Sequence, residues 1–187
     1  MKKVYLALLI FVVFFKNSNS AEMILDNLKN PGHTSQNQKW SFITDGVMGG
    51  LSVGKLNIDK IEDKLCYRMT GNVTTANNGG FIQIRSLIVP NIKVKDFSGI
   101  YLKVFGNNKN YNLHIRTALT LAPWQYYSFK FYSSKEWIEI KAPFFDFKNS
   151  NFYQPKNLLN QKIKSVGLVA GFEDFESDIC LAEIGFY

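Results

Sequence analysis

The residue types that carry out chemistry in enzymes are few and scattered in this 187-residue sequence. The only two histidines are His33 and His114, and His114 lies on the polar face of a predicted strand, beside Asn112 and Arg116. A catalytic centre needs convergent titratable groups, such as a nucleophile beside a base or two carboxylates across a cleft. No such arrangement is legible, and we interpret His114 as a solvated or hydrogen-bonded side chain. The sequence therefore predicts no catalytic residue and no cofactor.

Metal ligands are equally sparse. Two cysteines and two histidines, each isolated in the sequence, do not form a zinc motif. An acidic segment at 173–178 precedes the last predicted strand, and calcium is held by six to eight oxygens from such loops. A solvated turn explains the same acids without an ion. We therefore predict no metal site.

Side chains suited to binding are more concentrated. Aromatic rings beside arginines and amides fit sugar rings, peptide segments and single-stranded bases, because each of these ligands offers a flat apolar face and a polar edge. Whether such side chains share one sheet face depends on the order of the strands, and the candidates are Gln83, Arg85, Asn112, His114, Arg116, Trp124, Tyr126, Tyr127 and Phe129. The alternative is that these aromatics pack against loops or the opposite sheet, since tyrosine and phenylalanine favour strands in any case.

The stretch 40–52, WSFITDGVMGGLS, is the most unusual loop in the sequence. Glycine tolerates positive φ and lets another backbone approach closely, so Gly46, Gly49 and Gly50 predict a conformationally demanding loop between two strands. This loop is either a structural corner or a surface shaped for a ligand, and it lacks the motifs of a phosphate cradle. We expect Asp45 to hydrogen-bond its own loop backbone, although it could also border the binding face. The predicted binding residues are Trp40, Asp45, Gly49, Gly50, Arg85, His114, Arg116, Trp124 and Tyr126.

The elements that must position these side chains are short strands. Apolar and polar residues alternate at 65–70, 81–86, 100–105 and 111–117, and turn residues separate the segments. Gly106-Asn107-Asn108 predicts a hairpin turn between the third and fourth of these segments, whereas 23–28 has helix-like spacing. About ten strands and no long amphipathic helix predict an all-β fold, an antiparallel jelly-roll β-sandwich.

Cys66 and Cys180 are the only cysteines, and both lie in apolar, strand-like contexts. Buried, unpaired thiols are the favoured interpretation, because a large separation in sequence says nothing about distance in space. A disulfide is the alternative, provided that the protein reaches an oxidising compartment.

The first twenty residues predict export. Lys2 and Lys3 precede a short apolar run, and small residues lead up to Ser20, which is the pattern of a secretory signal peptide cut after that residue. An uncleaved membrane anchor is the alternative. Residues 21–187 are predicted to form a single domain. Loss of this segment, which holds three lysines and no acid, lowers the formal net charge from +7 to +4. The remaining lysines are spread out, so nucleic-acid binding is not predicted. We expect a periplasmic or extracellular protein.

Several segments resemble the complex I intermediate-associated protein family, the assembly factors of NADH:ubiquinone oxidoreductase. The resemblance runs from Trp40 to Tyr187, and its most specific part is Asp45-Gly46-Val47-Met48-Gly49-Gly50. Weaker matches follow in the same order: Asn78-Gly79-Gly80-Phe81 with Arg85, Asp96 to Ile100, Tyr111 to Arg116, Trp137 with Ala142-Pro143-Phe144 and Phe147, the 163–168 segment, and Glu183-Ile184.

The resemblance implies a galactose-binding-like β-sandwich and a non-enzymatic, chaperone-like role. It implies that the protein binds a protein client, such as a membrane-complex subunit, during assembly of a respiratory or membrane complex. An exported carbohydrate-binding module, with a glycan as its ligand, is the alternative function.

Overall fold

Two antiparallel six-stranded sheets face each other in the computed structural model, which describes residues 22–158 and 160–187. The first sheet contains β1 (Met23–Asp26), β3 (Val53–Ile61), β4 (Lys64–Val73), β6 (Gly99–Phe105), β9 (Ile138–Pro143) and β12 (Phe175–Phe186). The second contains β2 (Ser41–Thr44), β5 (Phe81–Lys93), β7 (Asn110–Thr117), β8 (Tyr127–Tyr132), β10 (Lys148–Asn149) and β11 (Lys162–Gly171). The predicted all-β jelly-roll sandwich is confirmed. The predicted signal peptide lies outside the described residues.

The strand order places long strands at the centre of each sheet. The first sheet runs β3-β4-β12-β6-β9, with β1 also paired to β12, and the second runs β10-β8-β7-β11-β5-β2. The connections between the described strands contain four short 3-10 helices, at Asp45–Met48, Ala76–Asn78, Val94–Asp96 and Phe144–Asp146. No helix among the described residues is long and apolar enough to cross a membrane.

The core lies between the sheets and follows the alternation of the strands. Ile82 and Ile84 on β5, and Leu113 and Ile115 on β7, point inward and are fully buried. Because successive side chains of a strand point to opposite faces, the residues between them point away from the core. This alternation places Gln83, Arg85, His114 and Arg116 on the outer face of the second sheet.

Two local predictions are wrong. Residues 106–108 do not turn a hairpin, because β6 pairs with β9 and β12 in the first sheet whereas β7 pairs with β8 and β11 in the second. The connection crosses from one sheet to the other. The helix-like segment at 23–28 begins with strand β1, which pairs with β12. In both cases the strand partners are distant in the chain, where local spacing carries no information.

The two cysteines are also paired, in contrast to the favoured interpretation. Cys66 on β4 and Cys180 on β12 form a disulfide across adjacent strands, with 5.4 Å between their Cα atoms and a sequence separation of 114 residues. Both are buried. The pairing of β4 with β12 brings them together, and this pairing could not be predicted from the spacing.

Candidate functional site

A cleft of about 920 Å³ lies on the outer face of the second sheet. Its floor is formed by β5, β11 and β7, which are neighbours in that sheet. Its walls come from the 3-10 helix at Asp45–Met48, the 78–80 loop, the 123–126 segment and Phe172. A volume of this size falls in the range of ordinary ligand pockets, about 300–1,000 Å³.

The centre of the floor is open because β11 carries a glycine there. Gly167 lies between Arg85 on β5 and His114 on β7, directly opposite both in the strand register. A Cβ atom on Gly167 would lie 3.2 Å from the carbonyl oxygen of Ile84, which is closer than packing normally allows. Because Gly167 has no side chain, the floor is open between Arg85 on β5 and His114 on β7.

Two arginines supply the charge of the cleft. Arg116 donates a hydrogen bond to the carbonyl oxygen of Ala122 at 2.7 Å, which anchors the loop that precedes Trp124. Burial lowers the pKa of Arg116, and the nearby charge of Arg85 lowers it further. Neither arginine forms an ion pair with any carboxylate of the described residues. The cleft is therefore basic, with polar neighbours such as Gln83.

His114 is not the solvated or hydrogen-bonded side chain that we predicted. Its ring stacks on Tyr126, with 4.0 Å between the ring centroids and 12° between the planes. Its Nε2 atom is buried and has no hydrogen-bond partner among the described residues. Burial lowers the pKa of His114 to about 3, so the imidazole is neutral at physiological pH. It thus forms an aromatic part of the floor and adds no charge.

The rim of the cleft is apolar and exposed. Trp124 is 64% exposed, and Val47, Met48 and Phe172 are each more than half exposed. The Trp124 segment is held in place by Ser150, whose hydroxyl donates to the carbonyl of Trp124 at 2.9 Å and accepts from the amide of Tyr126 at 3.0 Å. An exposed apolar rim above a basic floor suits a ligand with both apolar and anionic groups.

Asp45 fastens two walls of the cleft to each other. Its buried carboxylate accepts hydrogen bonds from the Ser52 amide (3.0 Å), the Ser52 hydroxyl (2.6 Å), and the amides of Gly80 and Phe81 (2.5 and 3.2 Å). Ser52 follows the glycine pair Gly49-Gly50, whereas Gly80 immediately precedes β5 and Phe81 begins it. Burial raises the pKa of Asp45, but these hydrogen bonds outweigh it and hold the pKa below its usual value. We name the Asp45 carboxylate and its four donors the Asp45 clasp.

Glycines around the clasp are required by close approach. A Cβ atom on Gly50 or on Gly79 would collide with the Asp45 carboxylate. Gly49 has a φ of +88° and ends the 3-10 helix, so it occupies the left-handed region that favours glycine. The glycine cluster is therefore a corner built around a buried acid.

The structure brings five of the nine predicted binding residues together. Arg85, His114, Arg116, Trp124 and Tyr126 line the cleft. Asp45, Gly49 and Gly50 do not line the cleft, but they belong to the corner that carries its wall residues Val47 and Met48. Trp40 lies elsewhere: its Nε1 donates to the buried carboxylate of Asp26 at 2.7 Å, and its ring packs against Tyr67.

Several other predicted members of the aromatic face do not line the cleft. Tyr127 is fully buried, Phe129 packs against the core, and the buried Asn112 accepts from Ser128. Tyr127 and Phe129 on β8 therefore pack inward, as the alternative interpretation of the aromatics expects. Sequence reasoning missed Val47, Met48, Phe81 and Phe172 as lining residues. The position of Val47 and Met48 in the glycine-rich loop was the only available signal for their exposure.

Two of the four acids in the segment 173–178, Asp174 and Asp178, make contacts within the fold. Asp178 and Asp59 both pair with Arg68, at 2.8 and 2.9 Å, and Asp174 accepts from the amide and the hydroxyl of Thr75. No group of three or more histidines, cysteines or acids suited to a metal ion occurs within 22–158 and 160–187.

Comparison with a protein-family model matches residues 29–181 to complex I intermediate-associated protein 30. No curated protein sequence matches the chain. Among solved structures, the fold is similar to the family 11 carbohydrate-binding module of the cellulosomal cellulase Lic26A-Cel5E of Clostridium thermocellum, with a TM-score of 0.71 and 14% identity over 90% of this chain and 95% of that one.

Two further solved structures have the same fold. A family 11 module from Clostridium thermocellum in complex with a β-1,3-1,4-mixed-linked tetrasaccharide has a TM-score of 0.67 and 13% identity, over 88% of this chain and 94% of that one. A family 30 carbohydrate-binding module has a TM-score of 0.53 and 11% identity, over 74% of this chain and 91% of that one. At these identities the likeness concerns the fold alone.

Proposed function

The chain belongs to the complex I intermediate-associated protein 30 family, and from this premise we propose that it is a non-enzymatic binding protein that holds a segment of a protein client in its cleft. The observation that carries the proposal is the cleft itself, with an exposed apolar rim above two arginines. The client would be a subunit of a membrane or respiratory complex during assembly, in keeping with the family's description.

The composition of the cleft supports a protein ligand. Tryptophan, tyrosine, methionine and arginine are the residues most enriched in the buried centres of protein interfaces. Trp124, Tyr126, Met48 and the two arginines bring all four types into one concave surface. A bound client would cover the exposed apolar groups at the rim. Their removal from water would contribute favourably to the free energy of binding.

The described residues of the same cleft show no arrangement suited to catalysis. His114 is neutral and stacked, and Asp45 uses both carboxylate oxygens in the clasp. A general base must reach the proton that it abstracts. Asp45 is occupied by its own corner, and His114 has a buried Nε2 atom and a ring stacked on Tyr126, which supports binding in place of turnover.

The location of the client follows from the predicted export. The basic start and apolar run of residues 1–20 support a secretory signal peptide, so the protein would act in the periplasm or outside the cell, or on a membrane if the segment is retained. We therefore propose a client exposed on that side of a membrane.

A second function, an exported carbohydrate-binding module, is favoured by one observation. Trp124 is exposed beside the stacked ring of Tyr126, and flat aromatic surfaces of this kind suit sugar rings. The tetrasaccharide-bound module with the same fold is consistent with it, although fold alone does not establish function.

One matched pair of variants tests these proposals. Trp124→Ala removes an exposed aromatic from the rim, whereas Phe145→Ala removes one that is 82% exposed and lies outside the cleft. Wild type and both variants are used to recover partners from the membrane fraction and to probe a glycan array.

Specific recovery of a protein by wild type and Phe145→Ala, but not by Trp124→Ala, supports the client proposal. A glycan bound with the same dependence on Trp124 would favour the carbohydrate-binding function. Partners recovered equally well by all three proteins would refute a role for the cleft.

A further inference from the structure

The arginines of this protein are distributed unevenly. The sequence has only three, Arg68, Arg85 and Arg116, and its other 19 basic residues are lysines. Arg68 is fully used, because its guanidinium pairs with Asp59 and bidentately with Asp178. The other two lie together in the cleft, where no carboxylate of the described residues pairs with them.

The positions of these two arginines suit one shared anion. Arg85 is on β5 and Arg116 is on β7, and β11 separates them with the small residues Gly167 and Ser165. Between Arg85 and Arg116, β11 therefore places no side chain larger than serine on the floor of the cleft. Each guanidinium has five N–H donors in a planar fork, and Arg116 uses one of them for Ala122.

The electrostatics of the cleft favour occupation by a negative charge. The two arginines repel each other, and no carboxylate lies among the described residues that line the cleft. His114, whose pKa is lowered to about 3, is neutral and neither adds to this charge nor offsets it. An anion between the arginines would relieve their repulsion in a partly desolvated site, where charge-assisted hydrogen bonds are strongest.

Resting on the proposed function, we propose that the bound client segment is acidic: an aspartate or glutamate carboxylate lies between Arg85 and Arg116, and neighbouring apolar side chains contact the rim. The rim favours a peptide over an acidic glycan, because only part of it is aromatic. The exposed, apolar and non-aromatic Val47 and Met48 line the cleft together with Trp124 and Phe172. Non-aromatic apolar side chains pack well against leucine-like groups, whereas a sugar ring needs a flat aromatic surface.

A random dodecapeptide display library panned on the full chain tests this proposal while the client is still unidentified. We expect the selected peptides to be enriched in aspartate and glutamate with apolar neighbours. A selected peptide, made with a fluorescent label, should bind wild type about tenfold or more tightly than it binds Arg85→Gln, because a hydrogen bond to a charged group is lost. Replacement of its acids by amides should cause a similar loss.

Control variants separate local from general charge effects. Lys95→Gln/Lys135→Gln removes two exposed positive charges outside the cleft, which matches Arg85→Gln/Arg116→Gln in net charge. The lysine pair should bind the peptide as wild type does. If the arginine pair fails to fold, Arg85→Gln alone suffices, because Arg85 makes no side-chain hydrogen bond with the described residues.

The outcomes distinguish this proposal from the function on which it rests. Selected peptides that are neutral or basic would refute the acidic segment but leave peptide binding intact. If no peptide is selected over a bare surface, peptide binding itself is refuted as well. If polygalacturonate oligomers bind with Arg85 dependence while no peptide is selected, the occupant is an acidic glycan and the proposal is wrong.

Discussion

Replacing Asp45 by asparagine should destabilise the protein strongly, although the two side chains have nearly the same shape. One carboxylate oxygen accepts from the Ser52 amide, and the other accepts from the Ser52 hydroxyl and the amides of Gly80 and Phe81. An asparagine can place its oxygen on the side of the three donors. Its NH₂ group then faces the Ser52 amide, and two donors meet without an acceptor.

The magnitude follows from these contacts. A buried amide left without a partner costs about 1–3 kcal/mol. The remaining three hydrogen bonds lose their charge assistance, because bonds to ionised groups contribute roughly twice as much as neutral ones. Relief of the buried charge offsets part of this loss. We expect the free energy of unfolding to fall by about 2–4 kcal/mol, a large part of the roughly 5–15 kcal/mol typical of a whole domain.

Urea denaturation at pH 7 measures this change directly. The midpoint should fall while the slope stays constant, since the same surface is exposed on unfolding. Asp63→Asn is the matched control, because the Asp63 side chain is 94% exposed and Lys60 is its one ion-pair partner among the described residues. It should leave the midpoint unchanged. A loss below about 1 kcal/mol in Asp45→Asn would mean that the clasp is not a main support of this corner.

The pH dependence gives an independent check on the same residue. The pKa of Asp45 in the folded protein is below its usual value, so its contribution is fully present above the unfolded pKa of about 4. That contribution is lost as the pH falls through the lower, folded pKa, where wild type becomes protonated. The difference between wild type and Asp45→Asn should therefore shrink in acid and stay constant from about pH 5 to pH 8.

Three further predictions concern other parts of the fold. Gly79→Ala should lower the midpoint of urea denaturation, because its Cβ atom would collide with the Asp45 carboxylate, whereas Gly32→Ala meets no atom and should cost only the strain of its positive φ. The double change Cys66→Ala/Cys180→Ala should lower the free energy of unfolding by about 2–4 kcal/mol, because the disulfide closes a long loop. Wild type with its disulfide reduced should show the same lowered free energy of unfolding. Burial lowers the pKa of His114 in the folded protein to about 3, whereas its unfolded pKa is about 6.5. As the pH falls below about 6.5, only the unfolded state binds the proton, so the free energy of unfolding of wild type should fall. That of His114→Phe should fall less over the same range.

The architecture was predictable because each strand can be recognised from the alternation of apolar and polar residues within its own sequence. Leu113 and Ile115 alternate with His114 and Arg116, and this period of two is independent of what pairs with the strand. The pairing partners of each strand could not be predicted in this way. The 106–108 segment has ideal turn residues, yet it joins two sheets, and Cys66 meets Cys180 only because β4 lies beside β12. These contacts depend on sequence-distant strands, which a local pattern cannot identify.

The cleft was partly predictable for the same reason. Arg85, His114 and Arg116 were found by alternation, which assigns a face to each residue once a strand is recognised. Phe129 was misplaced because aromatic residues are common on both faces of a strand. The stacking of His114 on Tyr126 also escaped prediction, because it depends on how the segment before β8 folds over β7.

The segments that carry the family resemblance build both the support of the cleft and much of its lining. Asp45 holds the corner together through the Asp45 clasp. The same set of segments contributes Arg85, His114 and Arg116 to the floor, whereas Trp124 on the rim lies outside them. The family match therefore covers the basic floor as well as the corner that supports it. The client has to be identified through Arg85, Arg116 and Trp124, because these residues line the cleft and none of them belongs to the Asp45 clasp.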